Sequence, residues 1–239
     1  MEEILNGIVL SAKDYKEKDK LVTLFTAEKG LVNVIFRGVR APKAKLKMCK
    51  ELFAFGKYRC FFNNSSDLAV AINCEIIDNF FPLSQNAEKY LEACTILSAV
   101  KPLTKYGQEE ISLFLALMNA LKVLCYDNVQ ENLTLVKLLL EIQRIAGYNI
   151  NFDFCSSCYN DFTDEKFFKL NTGEICCKDC KDEHSLLIDN MVYNSLRILS
   201  KQKFENLKSL KINNIDECLK ILSLNFELRY SKKLFNYAL

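Results

Sequence analysis

The chain has 239 residues, half of them hydrophobic and 26% charged, with only seven Gly and three Pro. That composition describes an ordered globular protein and excludes disorder, collagen-like repeats and low-complexity sequence, while the length predicts one or two domains. Thirty-two Lys and Arg against 30 Asp and Glu leave a formal charge of +2, so total charge identifies no partner.

The first 79 residues read as strands. Segments 3–12, 21–26, 31–37, 52–62 and 68–77 are rich in Val, Ile, Leu and Phe. In the third, Val32, Val34 and Phe36 alternate with Asn33 and Arg37, the period of a half-buried strand. The run 27–30, Ala-Glu-Lys-Gly, supplies a turn with a glycine where positive φ is expected, and the polar run 63–67 is a second turn. Five strands with one longer connection after the third fit a small OB-type barrel, although an SH3-like barrel has the same periodicity. The texture changes near Phe80-Phe81-Pro82. Apolar residues then recur at helical spacing over 87–100, 108–126, 130–146, 190–201 and 215–230, with Asn128 as a cap and Gly147 as a stop for the third helix. The expected class is therefore α+β: a five-stranded OB-like barrel over 1–79, then an all-α domain over 80–239 carrying a cysteine module at about 152–184.

The longest apolar run, 111–121, is broken by Ser112 and Asn119 and falls short of the roughly 20 residues a spanning helix needs. The acidic start, Met1-Glu2-Glu3, leads into no apolar leader. The expected location is the cytosol, with no membrane partner, and the eleven cysteines are expected as reduced thiols.

Five of those cysteines fall between 155 and 180. Cys155-x2-Cys158 and Cys177-x2-Cys180 are separated by 18 residues, a spacing typical of four-cysteine zinc sites. Each knuckle aims two thiolates at one point, and two knuckles complete a tetrahedron around Zn²⁺. Four thiolates leave no open position for water, so the expected role is structural. Between the knuckles, 162–174 reads as a hairpin turning at 171–173. Cys176 competes with Cys177 as third ligand, although the knuckle spacing favours Cys177. A zinc deaminase would need an H-x-E pair, and the only histidine, His184, has none. Phosphate-loop, G-x-S-x-G and H-E-x-x-H motifs are missing as well, so the residues point to a binding protein rather than an enzyme, with no small-molecule substrate.

Residues 37–50, RGVRAPKAKLKMCK, place Arg37, Arg40, Lys43, Lys45, Lys47 and Lys50 together with no acid among them. Six cations could neutralise several phosphates, and a loop after the third strand flanks the face where OB-folds hold oligonucleotides. Lys13, Lys16, Lys18 and Lys20 add charge in the first loop, nearly cancelled by Asp14, Glu17 and Asp19. Phe36, Phe53, Phe55, Tyr58, Phe61 and Phe62 could stack bases, though a small barrel needs most of them as core.

The order of these parts resembles the bacterial RecO family of DNA repair proteins. The matching pieces are the strand at 7–10, the turn at 26–30, the basic loop at 37–46 and the cysteines at 155–180. The resemblance implies a recombination mediator, located at the nucleoid, that binds single- and double-stranded DNA. It would anneal complementary strands coated with single-stranded DNA-binding protein (SSB) and assist RecA loading with RecR, and in some settings RecF. It also implies phosphate contacts by Arg37, Arg40, Lys43, Lys45 and Lys47. Cys155, Cys158, Cys177 and Cys180 would hold zinc, and the acidic SSB tail would dock on the helical domain. The competing expectations are an OB-and-zinc RNA-binding or transcription-associated adaptor, a zinc-stapled interaction scaffold, and a thiol redox protein.

Overall fold

The structure is a computed structural model that describes residues 1–41, 46, 48–63, 68–162 and 165–234. The basic residues Lys43, Lys45 and Lys47, and all but Asn63 of the turn expected at 63–67, lie outside the described residues. The chain divides into two compact units, Met1–Gln85 with Leu103–Leu115, and Asn86–Pro102 with Ala116–Leu239.

In the first unit, β1 (Glu2–Tyr15), β2 (Asp19–Thr26), β3 (Gly30–Phe36), β4 (Phe55–Phe62) and β5 (Leu68–Asp78) close into a barrel in the order β1-β2-β3-β5-β4. All pairs are antiparallel except β3 with β5, which run parallel from Asn33↔Leu68 to Ile35↔Val70. This strand order is that of an OB barrel and settles the choice that periodicity left open. β1 serves two neighbours: Glu2 to Ile8 pair with β4 and Gly7 to Tyr15 with β2. A register shift between Val9 and Ser11 lets the strand bend from one partner to the other. Alternate residues, including Leu5, Val9, Val22, Leu24, Val34, Phe36, Tyr58 and Cys60, fill the interior. Tyr58 is buried with its hydroxyl donating to the carbonyls of Cys49 and Ala54 at 3.1 and 2.9 Å, so the one polar atom of that ring is satisfied. The fourth strand starts at Phe55 rather than 52, because Phe53 adopts a φ of +67° and its N–H is turned to the Val9 carbonyl.

The turn after β2 ends at Gly30, whose φ is +60°. A Cβ there would meet the carbonyl oxygens of Gln108 and Lys105 at 2.2 and 2.5 Å. Only glycine admits this approach, and it lets the Leu31 N–H donate to the Lys105 carbonyl at 2.9 Å.

The second unit holds α1 (Ala87–Val100), most of α2 (Ile111–Tyr126), α3 (Leu133–Ile145), α4 (Asn190–Lys201) and α5 (Ile215–Tyr230). α3 is its central helix, buried at nearly every position. Even Lys137 is only 1% exposed, its ammonium held by Glu141 at 2.6 Å. Gly147 ends α3 at a φ of +84°, with Tyr148 N–H donating to Gln143 and Gly147 N–H to Arg144, a Schellman stop. The start differs from the sequence reading. Asn128 is not the cap; the N-cap is Asn132, whose side chain makes no capping bond. Glu92 of α1 does that work across the packing, accepting from Asn132 N–H at 3.2 Å and Leu135 N–H at 3.1 Å. No helix among the described residues is long and apolar enough to cross a membrane.

Burial pushes the Glu92 carboxyl up to about 7, against the pull of those two N–H donors. Its folded value lies above its unfolded one, so the proton is bound more tightly in the native state. That contribution is present at acid pH and is lost as pH rises from about 4.5 through 7. Glu92→Gln is expected to flatten this stretch of the stability–pH curve by roughly 2–3 kcal/mol relative to wild type, read from urea midpoints at pH 4 and pH 8. Parallel curves for the two proteins would contradict the assignment.

Candidate nucleic-acid interface and metal centre

The two loops at one end of the barrel are stitched together. β1 and β2 form a hairpin whose tip includes Lys16, at a φ of +53°. The start of the basic segment folds back onto this hairpin. Gly38 N–H donates to the Asp19 carboxylate at 2.8 Å, and Arg40 N–H to the Lys18 carbonyl at 3.1 Å. Asp14 lies 3.6 Å from the Lys20 ammonium and 3.4 Å from the Arg40 guanidinium. Two of the three acids that cancel the first-loop lysines in the sequence are thus engaged within the scaffold itself. Lys13, Lys16, Lys18, Arg37 and Arg40 are exposed around them. The sequence pointed to six cations in the basic segment, and the structure treats them differently. Arg37 and Arg40 stand in solvent, whereas Lys50 is only 7% exposed, its ammonium 2.5 Å from Glu51. Lys50 is thus a buried, paired lysine within a 3-10 turn (Met48–Lys50).

In the second unit the cysteine module is a small ribbon. β6 (Lys166–Lys169) pairs on one side with β7 (Ile175–Cys177) and on the other with β8 (Ser185–Ile188). The hairpin turn falls where the sequence placed it, with Gly173 at a φ of +74°; Thr163 and Asp164 lie outside the described residues. The third strand was missed, because its polar approach, Lys181 to His184, reads as a loop. The first knuckle is bound to the ribbon by Ser156 N–H donating to the Ile175 carbonyl at 3.0 Å, and Tyr159, at a φ of +62°, closes its turn.

This fold brings Cys155, Cys158, Cys177 and Cys180 together, their four sulfurs all within 4.8 Å of one another. The Cys158 and Cys177 sulfurs are 3.9 Å apart, far from the ~2.05 Å of a disulfide and close to the roughly 3.8 Å expected of two sulfurs each ~2.3 Å from a tetrahedral ion. Cys176 lies outside the cluster. It pairs with Phe167 in the ribbon and is fully buried, and neighbouring strand residues point to opposite faces. Burial opposes ionisation of Cys155, but N–H donors from Cys158, Cys177 and Ser157 outweigh it and hold the thiol down to about 6. Cys180, hydrogen-bonded to Cys177 and Cys158, is pushed up to about 12. Four thiolates this close cannot all ionise unless a cation compensates them, and the donor set, all sulfur and closed, suits a structural metal ion. His184 is exposed, its Nε2 3.7 Å from Glu183.

The ribbon is held by a polar clamp that sequence reasoning did not find. Asn225 of α5 donates to the Leu170 carbonyl at 2.7 Å, and Arg229 of α5 donates to the Thr172 carbonyl. Gln143 of α3 donates to the Asn225 carboxamide at 2.6 Å. The Arg229 guanidinium stacks on the Tyr148 ring at 3.8 Å. The α3 and α5 members are some eighty residues apart, and Gln143, Asn225 and Arg229 each read alone as an ordinary helix polar residue. Nothing local marks them.

A closed five-stranded barrel of this order, with exposed cations on its first loops, defines an OB-fold protein. The chain belongs to the Recombination protein O family, whose N-terminal domain matches residues 1–80 and whose C-terminal domain matches residues 84–236. It is similar to the DNA repair protein RecO of Clostridium perfringens, 25% identical over 229 residues that cover 95% of this chain and 92% of the relative. It is also similar to RecO of Clostridium acetobutylicum, 27% identical over 87% of this chain and 83% of the relative. RecO of Mycoplasma capricolum is 25% identical over 97% of this chain and 92% of the relative.

If the four sulfurs hold an ion, Cys155→Ser is expected to lower metal content and to lower stability by about 3 kcal/mol or more, because ion binding and folding of such ribbons are coupled. Elemental analysis of the purified proteins beside their thermal midpoints reads both. Full metal content at an unchanged midpoint would exclude the four-cysteine site.

Proposed function

We propose that the protein is a DNA repair factor acting as a recombination mediator. It binds single- and double-stranded DNA through the basic rim of its barrel and anneals complementary strands coated with SSB. Family membership supports this reading at the level of the class. The observation that carries it further is the stitched pair of loops, in which Asp19 holds the basic segment to the hairpin, Asp14 pairs with Lys20 and Arg40, and Lys13, Lys16, Lys18 and Arg37 are exposed beside them. Lys43, Lys45 and Lys47 continue the same acid-free segment and are proposed to extend the phosphate contacts; Lys50 is not. Annealing needs no covalent chemistry, so the protein is proposed to be a mediator rather than an enzyme. A rim that neutralises backbones while leaving base edges free can bring two strands together.

The metal is proposed to be zinc, held by Cys155, Cys158, Cys177 and Cys180, with a structural role in fixing the ribbon. RecR, with RecF in some settings, is the proposed partner in loading RecA, and the acidic tail of SSB is proposed to dock on the helical unit. The site of action is the cytoplasm, at the nucleoid.

Lys43→Glu with Lys45→Glu should weaken DNA binding similarly for all sequences and reduce the slope of log K against log salt by roughly 1.5, since each lost phosphate contact removes ~0.7–0.9. Fluorescence-anisotropy titrations at several salt concentrations read this directly. An unchanged slope would remove these lysines from the interface.

A further inference from the structure

The first unit contains an open cleft of about 590 Å³ along the beginning of β3, whereas the basic segment leaves the end of that strand. Leu31, Val32, Asn33, Lys29, Phe62 and Tyr106 line it. The volume lies in the range of small-ligand sites, and the lining combines apolar surface, aromatic rings, one carboxamide and one cation.

Tyr106 is the unusual member. It is 62% exposed, yet it is tied at both ends. Its backbone is bridged to Gly30 and Leu31, beside the Leu31 N–H to Lys105 carbonyl bond of 2.9 Å. Its hydroxyl accepts from Asn33 Nδ2 at 3.2 Å, and Asn33 Oδ1 in turn accepts from the Thr23 hydroxyl at 3.0 Å. An aromatic ring that is exposed and held in place is a preorganised stacking surface, for which less ordering entropy is lost on binding. Lys29 stands at the rim, 2.7 Å from Glu3 and 4.7 Å above the Phe62 ring, so one face of Phe62 is already covered and Tyr106 offers the stacking face. A peptide cannot add here as a strand, because the N–H of Leu31 at that edge is already used by Lys105.

We propose that this cleft takes one unstacked base of a single-stranded DNA, its ring on Tyr106, with a neighbouring phosphate sharing the Lys29 ammonium with Glu3. The proposal rests on the DNA-binding reading above and adds to it a means of selection. Backbone contacts at the basic rim accept single strand and duplex alike, whereas a stacking site takes a base only when it is out of the helix.

The chain has no tryptophan, so Tyr106→Trp introduces a single reporter at the stacking position. Its emission should be quenched by oligothymidylate, and not by a blunt duplex or by thymidine monophosphate at the same nucleotide concentration. Tyr106→Ala should weaken single-strand binding by roughly 10- to 100-fold. Its duplex affinity and thermal midpoint should stay at wild-type values, and Tyr106→Trp, which keeps a stacking ring but loses the bond from Asn33, should bind single strands more tightly than Tyr106→Ala does. Equal single-strand affinity for wild type and Tyr106→Ala would overturn the proposal, as would equal quenching by duplex or by the mononucleotide. Failure of the wild-type protein to bind any DNA would instead overturn the DNA-binding reading itself.

Discussion

The parallel pairing of β3 with β5, which runs from Asn33↔Leu68 to Ile35↔Val70 among the described residues, determines what the barrel presents. It closes the sheet, and it requires the chain to cross from the end of β3 to the start of β4 before β5 can return beside β3. That crossing is the basic segment. Among the described residues β5 meets β3 from Asn33 to Ile35, and at the start of β3 Gly30 and Leu31 are bridged to Tyr106. Gly30 permits the approach, with two carbonyl oxygens where a Cβ would stand. The cationic rim and the Tyr106 cleft are therefore two consequences of one closure, set at the two ends of the same strand.

The second unit is organised by a different constraint. Its ribbon is too small to bury a core of its own beyond Phe167, Cys155 and Cys176 with a few partly buried neighbours. The four clustered cysteines, with the metal ion proposed for them, and a polar clamp from α3 and α5 are the two devices that compensate. They act on opposite ends of the hairpin: the thiolates on the knuckles and Asn225, Gln143 and Arg229 on the turn. A charge-assisted bond from Arg229 to a turn carbonyl, with the guanidinium stacked on Tyr148, fixes the turn in the way that hydrophobic contact fixes a larger element.

Much of this was legible in the sequence because it rests on local periodicity or fixed spacing. The helices over Ala87–Val100, Asn190–Lys201 and Ile215–Tyr230 lie at the residues that apolar spacing marks. The knuckles lie together because Cys-x2-Cys turns converge by geometry. What escaped depends on contacts between distant residues. Asn128 has the residue type of a cap, but the cap of α3 comes from Glu92, forty residues away. Lys50 belongs to a run of cations by sequence and to the barrel wall by burial. β8 has an unremarkable polar lead-in, and it becomes a strand because β6 has a free edge beside it. Tyr106 lies in an unmarked connection and gains its place through Gly30 and Asn33, both more than seventy residues earlier.

Taken together, the proposed account is of a protein that handles two DNA backbones at once, with a rim that neutralises phosphates, a cleft that senses an unpaired base, and a metal-fixed ribbon on the helical unit. Its most direct test is annealing. Two complementary oligonucleotides, each precoated with SSB, are mixed with and without the protein, and duplex formation is followed by energy transfer between end labels. The account predicts that the protein accelerates annealing and that Lys43→Glu with Lys45→Glu abolishes the acceleration. DNA binding by the wild-type protein with no gain in annealing rate would contradict it.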